Sequence, residues 1–523
     1  MRIGVDVGGT NTDAVLMAGD RLVAHAKRPT SADVTLGIEQ ALTALVASAG
    51  VTMGEVDAVM IGTTHFLNAV VAVQGLTPTA AIRFAVPSPR AIPPMGTWPE
   101  ALSRALGPHR YICAGGHEYD GRAALPFDER MFLSIVDRIA AGGVRSVALT
   151  SVFSPMNAAL EEQAAGLLEE RVPGVTVCRS HEIGHIGLLR RENATILNAC
   201  LIGMANWVFD GVSAMIARLG FTSPVYVSQN DGTVMDVDYA RRFPIATFAS
   251  GPSNSIRGAG LLSGRDECVV ADIGGTTSDV GVLRHGFPRT SVDNVGVNGV
   301  YTNFRMPELR SLAVGGGSLL DLRADGEVVL ADSVGRDLHR AAVVFGGTRP
   351  TLTDVAVAAG LAPHVGDAGL VADWDRGRCE DILADIHVRL AEAVNGVRTT
   401  IRRPPLVAVG GAGFLVPSRL PGISHVERPE HHAMANAVGA AMAQAGAEID
   451  RVFQASADDL GTRLSNAEEE AAARAVAAGA DPDSVRIISV NLQELGYFDN
   501  EVTRVRIRAV GDIQRARPQP EPV

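Results

Sequence analysis

Two short segments of this chain carry nearly the same pattern. Asp6-Val7-Gly8-Gly9-Thr10-Asn11-Thr12-Asp13 and Asp272-Ile273-Gly274-Gly275-Thr276-Thr277-Ser278-Asp279 each set a Gly-Gly-Thr turn between two aspartates, after one apolar run and before another. A glycine pair lets a strand reverse tightly and leaves backbone N–H groups open, so such a turn comes within reach of phosphate oxygens. Thr10, Asn11 and Thr12 add neutral donors, and Asp6, at the end of its strand, suits a magnesium ion held through water. One copy is equally well an ordinary hairpin turn led by an aspartate. Two copies far apart in the chain describe two lobes that clamp a triphosphate and its metal between them.

A third segment supports the nucleotide reading. The apolar strand Leu406 to Val409 runs into Gly410-Gly411-Ala412-Gly413, and an alanine-rich helix is expected from about His431 to Ala445. A turn without side chains suits packing under an adenine or ribose.

Elsewhere short apolar strands alternate with segments of helical spacing, such as Val34 to Ala49, which implies an α/β architecture with an internal duplication. We place domains at 1–180, 181–446 and 447–523, the last a small extension ending in a proline-rich tail expected to be disordered.

Bulk composition excludes several classes. A net charge of −12 opposes a general nucleic-acid-binding surface. Lys27 is the one lysine of the 523 residues, so most lysine chemistry is excluded. Five scattered cysteines read as buried thiols of a reducing compartment. With no charged leader and no apolar stretch judged long enough to span a bilayer, a cytoplasmic protein is expected.

Taken together, the two phosphate motifs and the adenosine motif resemble the bilobed superfamily of actin, sugar kinases and heat-shock chaperones, with a ribonuclease H-like fold in duplicated lobes. The stretches Gly62 to Val71 (GTTHFLNAVV), Arg190 to Ala199 (RRENATILNA), Ser250 to Gly260 (SGPSNSIRGAG), Ala313 to Leu322 (AVGGGSLLDL) and Gly346 to Asp354 (GGTRPTLTD) narrow the resemblance to the hydantoinase/5-oxoprolinase A-subunit family, over roughly Arg2 to Ala445. The chain is shorter than the A subunits it resembles, and Asn11 stands where they carry an aromatic residue, so a divergent branch is expected.

The resemblance implies ATP-dependent opening of a cyclic amide or, in relatives, carboxylation of a ketone, with Mg2+ and a B-type partner subunit in a hetero-oligomer. It implies that Asp6 and Asp272 hold magnesium and that Asp272 or Asp279 is the base toward the phosphoryl acceptor. It further implies that Gly8, Gly9, Gly274, Gly275, Thr276 and Thr277 line the phosphates and that Gly315, Gly316 and Gly317 touch phosphate or ribose. Thr63, Thr64 and Asn68 would face the acceptor. Alternatives from the same clamp are a self-sufficient small-molecule kinase and an actin-like regulatory ATPase.

Some motifs are set aside. His181-Glu182-Ile183-Gly184-His185 matches HExxH, but zinc needs both histidines on one helix face, and a glycine lies between them. His431-His432, the Asn193-Ala194-Thr195 glycosylation pattern and the Glu468 to Glu470 run are assigned no role.

Overall fold

The computed structural model describes residues 1–30, 34–85, 91–291, 295–322, 328–454, 457–494 and 502–514. The proline-rich tail lies outside them. Both Gly-Gly-Thr segments are hairpins. Arg2–Val7 pairs antiparallel with Asn11–Ala18, placing Asp6 opposite Asp13, and Cys268–Ile273 pairs with Ser278–Arg284, placing Asp272 opposite Asp279.

The repetition extends beyond the turns. In the first lobe Arg21–Pro29 continues the hairpin on one side, while Ala58–Thr63 and then Val225–Ser228 add parallel strands on the other. In the second lobe Phe287–Pro288, Leu406–Val409 and Val426–Glu427 occupy the corresponding places. Both sheets therefore run third, second, first, fourth, fifth. This is the duplicated, bilobed α/β fold expected above.

The strands are apolar because both faces are covered. Ile3 and Val5 are fully buried, and the helix Val34–Ala49 lays Ile38, Ala41, Leu42 and Leu45 onto the first sheet at helical spacing. A separate four-stranded parallel sheet, ordered Arg110–Cys113, Thr79–Phe84, Ser146–Ser151, Thr176–Arg179, forms its own core.

The boundary placed at Ala447 is corrected. It falls inside the strand Ala445–Gln454, which joins Val234–Asp236, Val502–Gly511 and Arg486–Glu494 to extend the first sheet to nine strands. The C-terminal part is a continuation of the first lobe. The alanine-rich helix is also shorter than expected, Ala435–Ala441, because the chain must become strand again at Ala445.

Among the described residues one helix, Leu188–Arg218, is long and apolar enough by length and composition to cross a membrane, where the sequence reading expected none; half of its most apolar window is buried inside the protein. All five cysteines are buried free thiols.

The lobes meet where Ser250–Ser263 crosses Ala435–Ala441. A side chain at Gly258 would overlap the Ala435 carbonyl, one at Gly439 the Asn254 carbonyl, and one at Gly4 the Ala437 carbonyl. Backbone touches backbone at all three places.

Candidate functional site

A cleft of about 630 Å³ lies between the two hairpins. Each turn closes in the same way, Gly8 N–H donating to Asn11 O at 3.0 Å and Gly274 N–H to Thr277 O at 2.9 Å. Their tips nearly meet: a Cβ on Gly275 would stand 3.1 Å from Thr10 Oγ1. Gly9 and Gly411 face open space, with no atom within 4 Å of where a Cβ would sit. The floor is equally repetitive. Gly410, at φ +86°, has no room for a side chain against Asp272, and a Cβ on Gly62 would stand 2.9 Å from Asp6 Oδ1.

Among the described residues four carboxylates, Asp6, Asp13, Asp272 and Asp279, line this cleft together with one cation, Lys27. Burial pushes Asp6 up to about 7, helped by the charges of Asp13 and Asp272 and opposed by Asn436, whose amide donates to Asp6 Oδ2 at 3.3 Å. Burial likewise raises Asp272 to about 6, aided by the charges of Asp279 and Asp13. Asp279 is raised by burial while accepting a bond from the Ser311 hydroxyl. Asp13, also raised by burial, has Lys27 Nζ 3.4 Å away.

Buried acids in excess of their counter-charge fit a divalent cation. Among the described residues no group of three or more His, Cys, Asp or Glu stands ready to ligate an ion directly. Magnesium keeps most of its waters and takes one or two carboxylates. Asp6 and Asp272 are the residues that would hold it, and the ion would neutralise phosphate charge. The glycine turns, with Gly9 and Gly411 open to the cleft, fit a phosphate chain.

Of the residues expected at the site, Gly8, Gly9, Thr10, Asn11, Gly274, Gly275, Thr276, Thr277, Gly410 and Gly411 line the cleft, as do Thr64 and Asn68. Others do not. Thr12 is fully buried, and Thr63 is buried with its hydroxyl accepting from His65 N–H at 3.1 Å. Ala412 donates its N–H to Ile273 O at 2.9 Å, and Gly413 opens a buried turn. Gly315, Gly316 and Gly317 lie behind the second hairpin, where Gly316 N–H donates to Gly274 O at 3.0 Å and Gly317 N–H to Gly275 O at 2.7 Å. They brace the turn from the back, where a side chain at Gly315 would press on Thr276 N at 2.6 Å.

Sequence reasoning missed Lys27, Asn436, Ser311 and Phe248 as cleft residues. Lys27 carried a signal in being the only lysine, and it lies directly across the strand pair from Asp13. Asn436 had none, since it reaches Asp6 from the opposite end of the chain.

The discounted HExxH segment diverges. Its helix, Ser180–Ile183, ends at Gly184; His181 Nδ1 sits 2.7 Å from Glu161, whereas His185 Nδ1 sits 3.0 Å from Asp450. The RREN stretch is structural: Glu192 takes a bidentate pair from buried Arg83 at 2.7 and 2.6 Å.

Residues 2–172 match the hydantoinase/oxoprolinase N-terminal region, and residues 191–364 match the hydantoinase/oxoprolinase region. The chain is 26% identical over 504 residues to the caprolactamase alpha subunit of Pseudomonas jessenii, covering 88% of this chain and 67% of that one. It is 25% identical to the acetophenone carboxylase gamma subunit of Aromatoleum aromaticum, covering 68% and 53%. It thus spans about two thirds and about half of these relatives. Among solved structures, the ATP-dependent caprolactamase from Pseudomonas jessenii superposes with a TM-score of 0.81 at 20% identity, over 100% of this chain and 89% of that one. Nucleotide-free acetone carboxylase gives 0.70 at 16%, over 99% and 89%.

Proposed function

Since this chain belongs to the hydantoinase/oxoprolinase family, we propose that it is an ATP-dependent subunit that activates the carbonyl oxygen of a cyclic amide for hydrolysis completed with a B-type partner subunit. The observation that carries this is the cluster of Asp6, Asp13, Asp272 and Asp279 between two glycine hairpins. The two relatives named above are an alpha and a gamma subunit, which supports a multi-subunit assembly.

An amide oxygen is a poor leaving group. Transfer of the γ-phosphoryl group forms an O–P bond to that oxygen and releases ADP; one water then adds at carbon and the ring C–N bond opens to an acyl phosphate, which a second water hydrolyses to carboxylate and phosphate. This chain's part is positioning and charge neutralisation. The hairpin backbones would hold the phosphates, Asp6 and Asp272 would hold the magnesium, and Lys27, the one cation among the described residues lining the cleft, would add positive charge. Asp279, oriented by Ser311, or Asp272 acts as base toward the acceptor, beside Thr64 and Asn68. Five buried free thiols support a cytoplasmic location.

The test is ATP turnover by the chain with its B-type partner in the presence of hydantoins, lactams and oxoproline. Stimulation by a cyclic amide is expected. Absence of stimulation across the series overturns the reading, and a stable phosphorylated product from this chain alone would make it a kinase.

A further inference from the structure

His185, left over from the discounted motif, opens onto a second, smaller chamber. It has a volume of about 140 Å³ and is lined by His185, Glu448 and Arg305 with apolar walls from Phe243, Ile245 and Phe304. A cavity of about 150 Å³ accepts a benzene-sized ring.

Two buried polar atoms of its lining, His185 Nε2 and Glu448 Oε1, have no hydrogen-bond partner. Their chemical states follow from their neighbours. Asp450 takes Arg504 at 2.6, 2.9 and 3.1 Å and has Arg506 at 3.5 Å. Although burial opposes it, His185 and these arginines hold its carboxyl below the usual range. A fixed carboxylate 3.0 Å from His185 Nδ1 keeps the proton on that nitrogen and leaves Nε2 a lone-pair acceptor. Burial, with Arg305, Arg504 and Arg506 nearby, pushes the imidazole down to about 4, so it is neutral near pH 7. Glu448 moves the other way. Burial raises its carboxyl to about 7 against the attraction of Arg305 and Arg508, and its Oε2 pairs with Arg305 Nη1, so the guanidinium is the donor on that side of the chamber.

One acceptor and one donor facing a ring-sized space complement the N–H and C=O of an amide. We propose that this chamber is a holding subsite for a cyclic amide, its N–H received by His185 Nε2 and its carbonyl oxygen facing the Arg305–Glu448 pair. The identification as a cyclic amide rests on the function proposed above; the preference for an N–H donor rests on the chamber alone. It adjoins the nucleotide cleft. Phe304 of the chamber packs edge-on against Phe248 of the cleft at 5.7 Å, so the two spaces share a wall one aromatic pair thick.

The experiment compares δ-valerolactam with N-methyl-δ-valerolactam, binding each to the full chain without nucleotide, by ligand-observed NMR titration. Wild type should bind the N–H lactam about tenfold or more tightly than its methylated analogue, because the analogue leaves a buried acceptor unpaired. His185→Phe should erase that preference, and Ile245→Trp, which fills the chamber without touching its charges, should abolish binding of both. A preference that survives His185→Phe, equal binding of the two lactams, or no binding by wild type overturns the subsite. ATP turnover is read separately. If the preference appears as expected but no cyclic amide stimulates turnover, the subsite stands and the proposed activity fails.

Discussion

The two lobes share one strand order and one hairpin, yet their second aspartates live in different company. In the first lobe Asp13 faces Lys27 across the strand pair; in the second Asp279 faces a serine hydroxyl. Duplication supplied the scaffold. The two neighbours come from non-equivalent strands, Arg21–Pro29 and Leu309–Leu312, so the first lobe's acid has a cation beside it and the second lobe's a hydroxyl.

The largest test of that comparison removes the shared feature. Asp6→Asn and Asp272→Asn should each lower ATP turnover by about 10²–10³-fold, the usual cost of losing one preorganised charge at a transferring group. A steady-state assay at saturating magnesium that found one dispensable would break the equivalence of the lobes. Lys27→Met should cost about tenfold in kcat/KM for ATP, with partial recovery in Lys27→Arg; an unchanged value would remove the first lobe's special role. Because only one lysine exists, its labelling by an amine-reactive reagent, read on its own peptide apart from the N-terminal amine, and its protection by ATP report on a single side chain.

Smaller effects separate the floors of the two lobes. Gly410→Ala forces a side chain against Asp272 at a positive φ, whereas Gly62→Ala crowds Asp6 and Asn254 without that strain. Overpacking costs typically 1–3 kcal/mol, with about 1–2 kcal/mol more for a left-handed non-glycine. Thermal melts should show the larger loss for Gly410→Ala.

The smallest effect concerns the rear chamber. Glu448, facing Arg305, Arg508, Asp231 and Asp450, has its folded value raised from 4.5 to about 7. A raised value means the folded state binds the proton more tightly. Its contribution to stability is therefore full below about 4.5 and lost as pH rises through 7. Urea midpoints measured across that window should fall for wild type and flatten for Glu448→Gln. An identical slope in both proteins would place the titration elsewhere.

Much of this was legible in the sequence because it was local. A glycine pair between aspartates specifies its own hairpin, and Ile38, Ala41, Leu42 and Leu45 announce a helix by spacing alone. What escaped was set by partners distant in the chain. Gly315 to Gly317 look like a phosphate loop, but the N–H groups of Gly316 and Gly317 are spent on the carbonyls of Gly274 and Gly275, and that of Gly315 on the Ser318 hydroxyl. Ala447 looks like a boundary because the composition changes there, yet strand pairing carries the chain through it. His185 was discarded with the zinc motif, since nothing near it in sequence names Asp450 as its partner.

The glycine contacts at Gly4, Gly258 and Gly439 have a mechanical consequence. Where main chains touch with no side chains interleaved, there are no ridges to slip past one another and little to compress. A methyl group in place of any of these hydrogens would push main chains apart, so three positions fix how closely the helix Ala435–Ala441 seats on the strand Arg2–Val7 and on the helix Ser250–Ser263.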